Sequence, residues 1–321
     1  MRLALYAHYS SEPTVARHVQ HHLQHLRGLD FKICFITNSP ISAASAFQLR
    51  DVCDRIVQRE NTGYDFSMWQ AGLEQYDLSA IDELLLTNAS IIGPLWPLEP
   101  LWQNPLVNQC DFWGLTDNCD TCHHLQSFFL VFRRAVIQTE CFARFWSAIL
   151  PYTDKAQVIR SYEMGLTSWL EQHGFKWKTQ FPQAETWKAY LEFKGREKLR
   201  RGMKDVVKQF LPAWRNRSPA FSQEHIWRKY LGDDALSPGA EYYLRMRGLP
   251  GLDTTLYYPE MLIEAGMPYL KAALLKAGNQ YHSPHYAFAL LKGRAMPQDA
   301  LDELNPVENE EKFAATAVAR K

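Results

Sequence analysis

Two short stretches decide how this chain folds: Glu60-Asn61-Thr62-Gly63-Tyr64-Asp65-Phe66-Ser67-Met68-Trp69 and Leu84-Leu85-Leu86-Thr87-Asn88-Ala89-Ser90. Each follows an apolar run that reads as a buried strand, and each then turns polar. In an open α/β sheet, ligands bind outside the carboxyl ends of the strands. The two stretches therefore mark the fold and the first place to look for function.

Working outward, residues 2 to 9 read as a strand, followed by a run of helix formers from Glu12 to Leu26 with Pro13 suited to a first helical turn. Phe31–Thr37 is a second strand, Ser42–Cys53 a helix, Arg55–Val57 a third strand and Ile81–Thr87 a fourth. The Asn61–Asp65 turn opens a helix carrying Phe66, Trp69 and Leu73 on one face. Strands alternating with helical segments predict right-handed βαβ units and a parallel sheet. Asp111–Asp117 and Ser127–Arg133 read as two further strands, antiparallel across a loop, before helices following Arg134 and over Ser161–His173. Tyr257–Lys271 reads as a helix closed by Gly266 and a Pro268 turn, and a frayed polar tail follows Pro297.

The 321 residues suffice for one large domain with an appended lobe, and 35 basic residues balance 35 acidic ones, so no global field selects nucleic acid. Residues 188–229 are the exception, with twelve Lys and Arg against four acidic residues. Within them Lys198–Leu211 can be drawn as an amphipathic helix, suited either to an anionic membrane surface or to a solvated, salt-bridged face. No secretory signal and no spanning apolar run are apparent, so a cytoplasmic protein is expected, with its six cysteines reduced.

The candidate chemistry has competing readings. Asn61, Gly63 and Asp65 at a helix start suit an anion, but Asp65 could equally be only an N-cap. Thr87, Asn88 and Ser90 can hold sugar hydroxyls or cap the next turn, and they lack the carboxylate that a hard divalent cation normally requires. Glu163 could act as general base from a partly buried cleft or merely complement a helix dipole in a first turn. Cys119-Asp120-Thr121-Cys122-His123 matches a haem-attachment pattern, yet nothing completes a haem or zinc site. His18, His21, His22 and His25 form i,i+4 pairs that read as a solvated helix face.

Several segments in order resemble the rhamnan synthesis protein F family of bacterial polysaccharide glycosyltransferases. They are Glu60–Phe66, Leu86–Pro94, Asp111–Gly114, His124–Phe132, Tyr162–Thr167 and the Gly266–Lys271 turn followed by Leu274-Leu275, covering roughly residues 3 to 280. The resemblance implies an α/β fold of GT-A-like, Rossmann type, with a mostly parallel sheet flanked by helices and a helical C-terminal extension. Along the chain the expected organisation is a catalytic unit over 1–185, a basic insertion over 186–235, which matches the family least, a C-terminal helical part over 236–296 and a tail over 297–321. The implied activity is inverting transfer of rhamnose or a related deoxysugar from a dTDP-rhamnose-like donor to a growing surface polysaccharide or lipopolysaccharide. That would occur at the cytoplasmic face of the inner membrane, with peripheral contact through 194–217 and no nucleic acid partner.

On this reading Tyr9, Ser10, Asn38, Asn61, Gly63 and Asp65 face the nucleotide, while Thr87, Asn88 and Ser90 orient the donor sugar or diphosphate. Asp117, His124 and Gln126 border the acceptor, Glu163 is the general base, and Lys271 neutralises the diphosphate. Ala89 stands where the family often carries Asp, so no protein metal ligand is assigned and a Mg or Mn cofactor stays open. The alternative is a non-catalytic glycan- or nucleotide-binding scaffold subunit of a polysaccharide assembly complex, favoured by the missing Asp-X-Asp motif.

Overall fold

The computed structural model describes residues 1–119, 122–183, 185–186 and 253–306. Most of the expected basic insertion, including Lys198–Leu211, therefore lies outside the described residues, as does the tail beyond residue 306.

The chain opens with β1 (Arg2–His8), α1 (Arg17–Gly28), β2 (Lys32–Thr37), α2 (Ala43–Arg50), β3 (Arg55–Gln58), α3 (Tyr64–Leu73) and β4 (Glu83–Asn88). The short β5 (Ile91–Ile92) is followed by β6 (Phe112–Asn118), β7 (His124–Leu125), β8 (Phe129–Arg133), β9 (Trp177–Phe181) and, after a long interval, β10 (Leu270–Lys271). Helices between β8 and β9 and after residue 253 flank the strands.

The main sheet has the order β3-β2-β1-β4-β8-β6-β7, with β9 beside β6. Its first four strands are parallel, β8 runs antiparallel to both β4 and β6, and β9 returns parallel to β6. Helical crossovers carry the chain outward from β1 to β3, and then β4 pairs on the other side of β1. That reversal marks the carboxyl ends of β1 and β4 as the position where such sheets bind ligands.

Both sheet faces are covered, and the alternation of side chains shows it. Ala4, Tyr6, Ile33, Phe35 and Leu85 belong to one core layer, whereas Leu3, Leu5, Cys34, Ile36, Leu84 and Leu86 belong to the other. A third cluster, built on Ile92, Leu95, Ile263, Leu270, Leu274 and Phe288, holds the helical C-terminal region together. The two-stranded β5/β10 pairing ties that region to the sheet, with Lys271 opposite Ile91. Gly93 permits it: at φ 150°, an added Cβ would lie 2.3 Å from the Pro268 carbonyl oxygen.

Several local expectations change. Helix α1 begins at Arg17 rather than near Glu12, because Pro13 and Val15 are tied to the α2 entry through Ser42 N–H to Pro13 O (2.7 Å) and Val15 N–H to Ser45 Oγ (3.1 Å). The face with His21 and His22 is buried, not solvated, since Tyr269 and Pro94 cover it. His22 Nε2 lies 2.9 Å from Tyr269 Oη, and His21 Nε2 lies 2.9 Å from Pro94 O. The segment after Pro297 is not frayed at once: Gln298–Leu304 is a helix with Ala300 buried, and Glu303 accepts from Arg17 N–H at 2.7 Å. β9 and the short β5, β7 and β10 are not legible as strands in the sequence.

Candidate active site

The approach to α3 is unusual backbone. Gly63 (φ 74°) and Tyr64 (φ 52°) are both left-handed, a conformation rare for a non-glycine residue. At Gly63 a Cβ would lie 2.8 Å from Pro151 Cα, so the turn packs directly on the 150–155 loop. Tyr64 donates its hydroxyl to Thr153 O at 3.2 Å. The cap position of α3 is Gly63 and receives no side-chain cap, which removes the reading of Asp65 as a helix N-cap. Asp65 instead turns toward β4, where its Oδ2 accepts from Asn88 Nδ2 at 2.8 Å.

Asn88 is the last residue of β4 and is buried. Its Oδ1 accepts from Ser90 N–H (3.0 Å) and Ser90 Oγ (2.5 Å), so one amide bridges the ends of α3 and β4. Thr87 behaves differently from its neighbours. Its side chain is fully buried and donates to Phe128 O at 2.9 Å, so this hydroxyl joins β4 to the β8 entry rather than facing a donor.

Glu163 does not sit in a first helical turn as expected. It ends a wide π-type turn, Ile159–Glu163, between the helices Lys155–Val158 and Met164–Gln172; such turns are frequent at functional sites. Its Oε2 accepts from both the backbone N–H of Ser127 (3.0 Å) and the Ser127 hydroxyl. Its Oε1 lies 3.8 Å from His124 Nε2, an ion pair rather than a hydrogen bond. Burial alone would raise the Glu163 carboxyl, but His124 and Ser127 outweigh it and hold it at about 2. Burial would likewise lower His124, yet its contacts to Cys122 and Glu163 push it up to about 10. Both shifts run in the direction that favours the charged pair.

Asp65 shifts the opposite way. Burial raises its carboxyl to about 6, and the Glu163 charge adds to this, while Asn88, Lys271 and Lys155 oppose it. Lys271 completes the cluster from β10, its Nζ lying 3.8 Å from the Phe128 ring centroid. Burial lowers its ammonium, against the attraction of Asp253, Glu163 and Asp65. Gln126 Nε2 donates to Asp253 Oδ2 at 3.0 Å, anchoring the start of the C-terminal region beside Lys271.

The remaining expected residues divide. Tyr9 stands exposed beyond β1, and Ser10 is fixed to Ser39, through Ser10 N–H to Ser39 Oγ (2.8 Å) and Ser39 Oγ to Ser10 O (2.7 Å). Asn38 reaches Asn61 at 3.5 Å, leaving its own buried Oδ1 without a partner among the described residues. Asp117 turns away from the cluster. It binds His123 Nε2 (2.8 Å) and Gln183 N–H (2.6 Å), and lines a separate cleft along β9 with Trp177 and Gln180. Sequence reading missed Ser127, Lys155 and Asp253. Only Ser127 carried a signal, as the last polar side chain of His124-Leu125-Gln126-Ser127 before an apolar run begins at Phe128.

These side chains fit a resident divalent cation poorly. Asp65 and Glu163 each have an oxygen committed to a protein donor, an ammonium lies among them, and no cluster of three or more His, Cys, Asp or Glu side chains suited to a metal occurs among the described residues.

The model for rhamnan synthesis protein F matches residues 33–195, just over half of the chain. The chain belongs to the rhamnan synthesis protein F family. Among curated relatives, it is 26% identical over 217 residues to the uncharacterized protein y4gN of Sinorhizobium fredii, covering 66% of this chain and 54% of that protein. It is 32% identical over 130 residues to the virulence protein VirA of Vibrio anguillarum, covering 39% of this chain and 41% of that one. The chain thus spans about half the length of the curated relatives it matches. Among solved structures, a putative nucleotide-diphospho-sugar transferase from Desulfovibrio desulfuricans overlays with a TM-score of 0.36 at 14% identity, covering 56% of this chain and 79% of that chain. The glycosyltransferase GlyE of Streptococcus pneumoniae overlays with a TM-score of 0.34 at 12% identity, covering 82% and 62%. Lys271 and Asp253 lie outside the region matched to the rhamnan synthesis protein F family. No helix among the described residues is long and apolar enough to cross a membrane.

Proposed function

We propose that this family member transfers a sugar from a nucleotide donor to a glycan acceptor, with inversion at the anomeric carbon. The observation that carries this reading is the convergence of Asp65, Asn88, Glu163 and Lys271, from four remote segments, on the crevice where the strand order reverses. A sugar transferase needs hydrogen bonds to hydroxyls, a cation for the departing diphosphate, and a base for the acceptor. That crevice supplies each class of group.

In this mechanism Asn38 and Asn61 border the nucleotide, Asn88 and Ser90 orient the donor, and Lys271 neutralises the developing charge on the diphosphate. Gln126 and His124 border the acceptor. Glu163, the base expected from sequence, and Asp65 are the two carboxylates available for the acceptor proton. A donor resembling dTDP-rhamnose and a surface polysaccharide or lipopolysaccharide acceptor are the substrates we assign, with the reaction at the cytoplasmic face of a membrane.

The scaffold reading is favoured by one feature, the absence of carboxylates at Asn88, Ala89 and Ser90. A calorimetric titration and a product assay with dTDP-rhamnose separate the two. The transferase binds the donor and slowly releases dTDP to water, whereas a scaffold binds it without releasing dTDP.

A further inference from the structure

We infer that Asp65, rather than Glu163, receives the proton of the acceptor hydroxyl. The inference rests on the transferase reading above and assigns a role within it.

A general base needs an oxygen lone pair that is open to the substrate. Glu163 is the more constrained of the two, although its Oε1 makes no hydrogen bond. One oxygen already accepts two hydrogen bonds from Ser127, and the other faces the buried His124 ring. Protonating Glu163 would also leave His124 as an unpaired cation in an apolar setting, which is strongly unfavourable. Glu163 is therefore a positioning residue: it orders the Ser127 turn and holds His124 charged beside the acceptor.

Asp65 has the complementary arrangement. Only its Oδ2 is engaged, by Asn88, and its Oδ1 makes no hydrogen bond among the described residues. The residue is half-buried at the first turn of α3, at the carboxyl-end side of the sheet where β4 ends. The left-handed Gly63 and Tyr64 rotate it toward β4 instead of toward the free amides of its own helix. Costly backbone of this kind is retained where surrounding packing enforces it, here Pro151 and Thr153. The charged groups facing Asp65 are Lys271 on β10, Glu163 at the π-type turn and Lys155 at the start of the helix before that turn. Their balance with burial places its titration near 6, suited to accepting a proton near neutrality, while Glu163 titrates far below.

The step balances simply. The acceptor oxygen forms its bond to the anomeric carbon as its proton passes to Asp65 Oδ1. The bond from that carbon to the diphosphate breaks, and the nucleoside diphosphate leaves with the electron pair beside Lys271. Asp65 then returns its proton to water.

The test measures dTDP release from dTDP-rhamnose against pH, with water taking the place of the acceptor hydroxyl as nucleophile, for the native protein, Asp65→Asn and Glu163→Gln, with donor affinity determined alongside. Asn can still accept from Asn88, so Asp65→Asn preserves the fold. The native kcat/KM should fall below about pH 6, Asp65→Asn should lose at least about 100-fold in kcat with donor affinity kept, and Glu163→Gln should retain the acid limb at a reduced rate. Full activity of Asp65→Asn, or an acid limb removed by Glu163→Gln instead, overturns the assignment while leaving the transferase reading intact. Donor binding without dTDP release by the native protein overturns both. Carboxyl carbon NMR of the native protein is independent of any variant: an aspartate titrating near 6 is expected, and its absence between pH 5 and 7 contradicts the inference.

Discussion

Asn88 Nδ2 donates to Asp65 Oδ2 at 2.8 Å, joining the end of β4 to the start of α3 across the crevice. The same amide accepts two bonds from Ser90 through Oδ1, so one side chain fixes the positions of two others. An amide can serve in this way where a carboxylate would repel Asp65.

Asn88→Ala removes all three bonds at once. Bonds to a charged partner are worth about 1.5–3 kcal/mol, so donor affinity should fall about tenfold or more, and calorimetry with dTDP-rhamnose would measure it. Unchanged affinity refutes the role given to Asn88.

Lys271→Met keeps much of the packing on Phe128 but removes the cation. If Lys271 stabilises the leaving diphosphate, kcat should drop about 100-fold with a smaller change in KM, and Lys271→Arg should recover part of the loss. Weakened donor binding with kcat unchanged would make Lys271 a binding residue only.

Gly93→Ala tests the connection that delivers Lys271. The new Cβ would lie 2.3 Å from the Pro268 carbonyl, a backbone atom that cannot swing aside, at a φ of 150°. We expect destabilisation of about 2–3 kcal/mol, read by urea unfolding, together with a loss of dTDP release in the protein that remains folded.

Stability should fall on mild acidification. Burial lowers both His8 and His18 to about 4, and the nearby His8 and His21 rings further disfavour a charge on His18. Both stay neutral in the fold but charge near 6.5 when unfolded, so their contribution is complete above 6.5 and is lost progressively as pH falls toward 4. For the buried His8, the change from pH 7 to 5 costs about 2 kcal/mol, and the melting temperature should drop by several degrees over that interval. A flat melting temperature would contradict neutral burial.

The parallel core was legible because β1, β2 and β4 alternate between two buried faces, a pattern present within each strand. The polar ends after β3 and β4 were legible for the same reason: side chains that interrupt a buried run at a strand terminus stand out. What the sequence concealed depended on distant partners. The histidines of α1 looked solvated because Tyr269, which covers His22, comes 247 residues later. Glu163 looked like a free carboxylate because Ser127 lies 36 residues before it, on another element. Asp65 could be read as an anion-site residue or as a cap, and only the left-handed turn at Gly63 and Tyr64 shows it facing Asn88.

The most direct test of the central claim follows dTDP release from dTDP-rhamnose in excess chelator, comparing the native protein with Lys271→Met. Release should persist without divalent cations and fall about 100-fold in the variant. A folded native protein that binds the donor but releases no dTDP would contradict it.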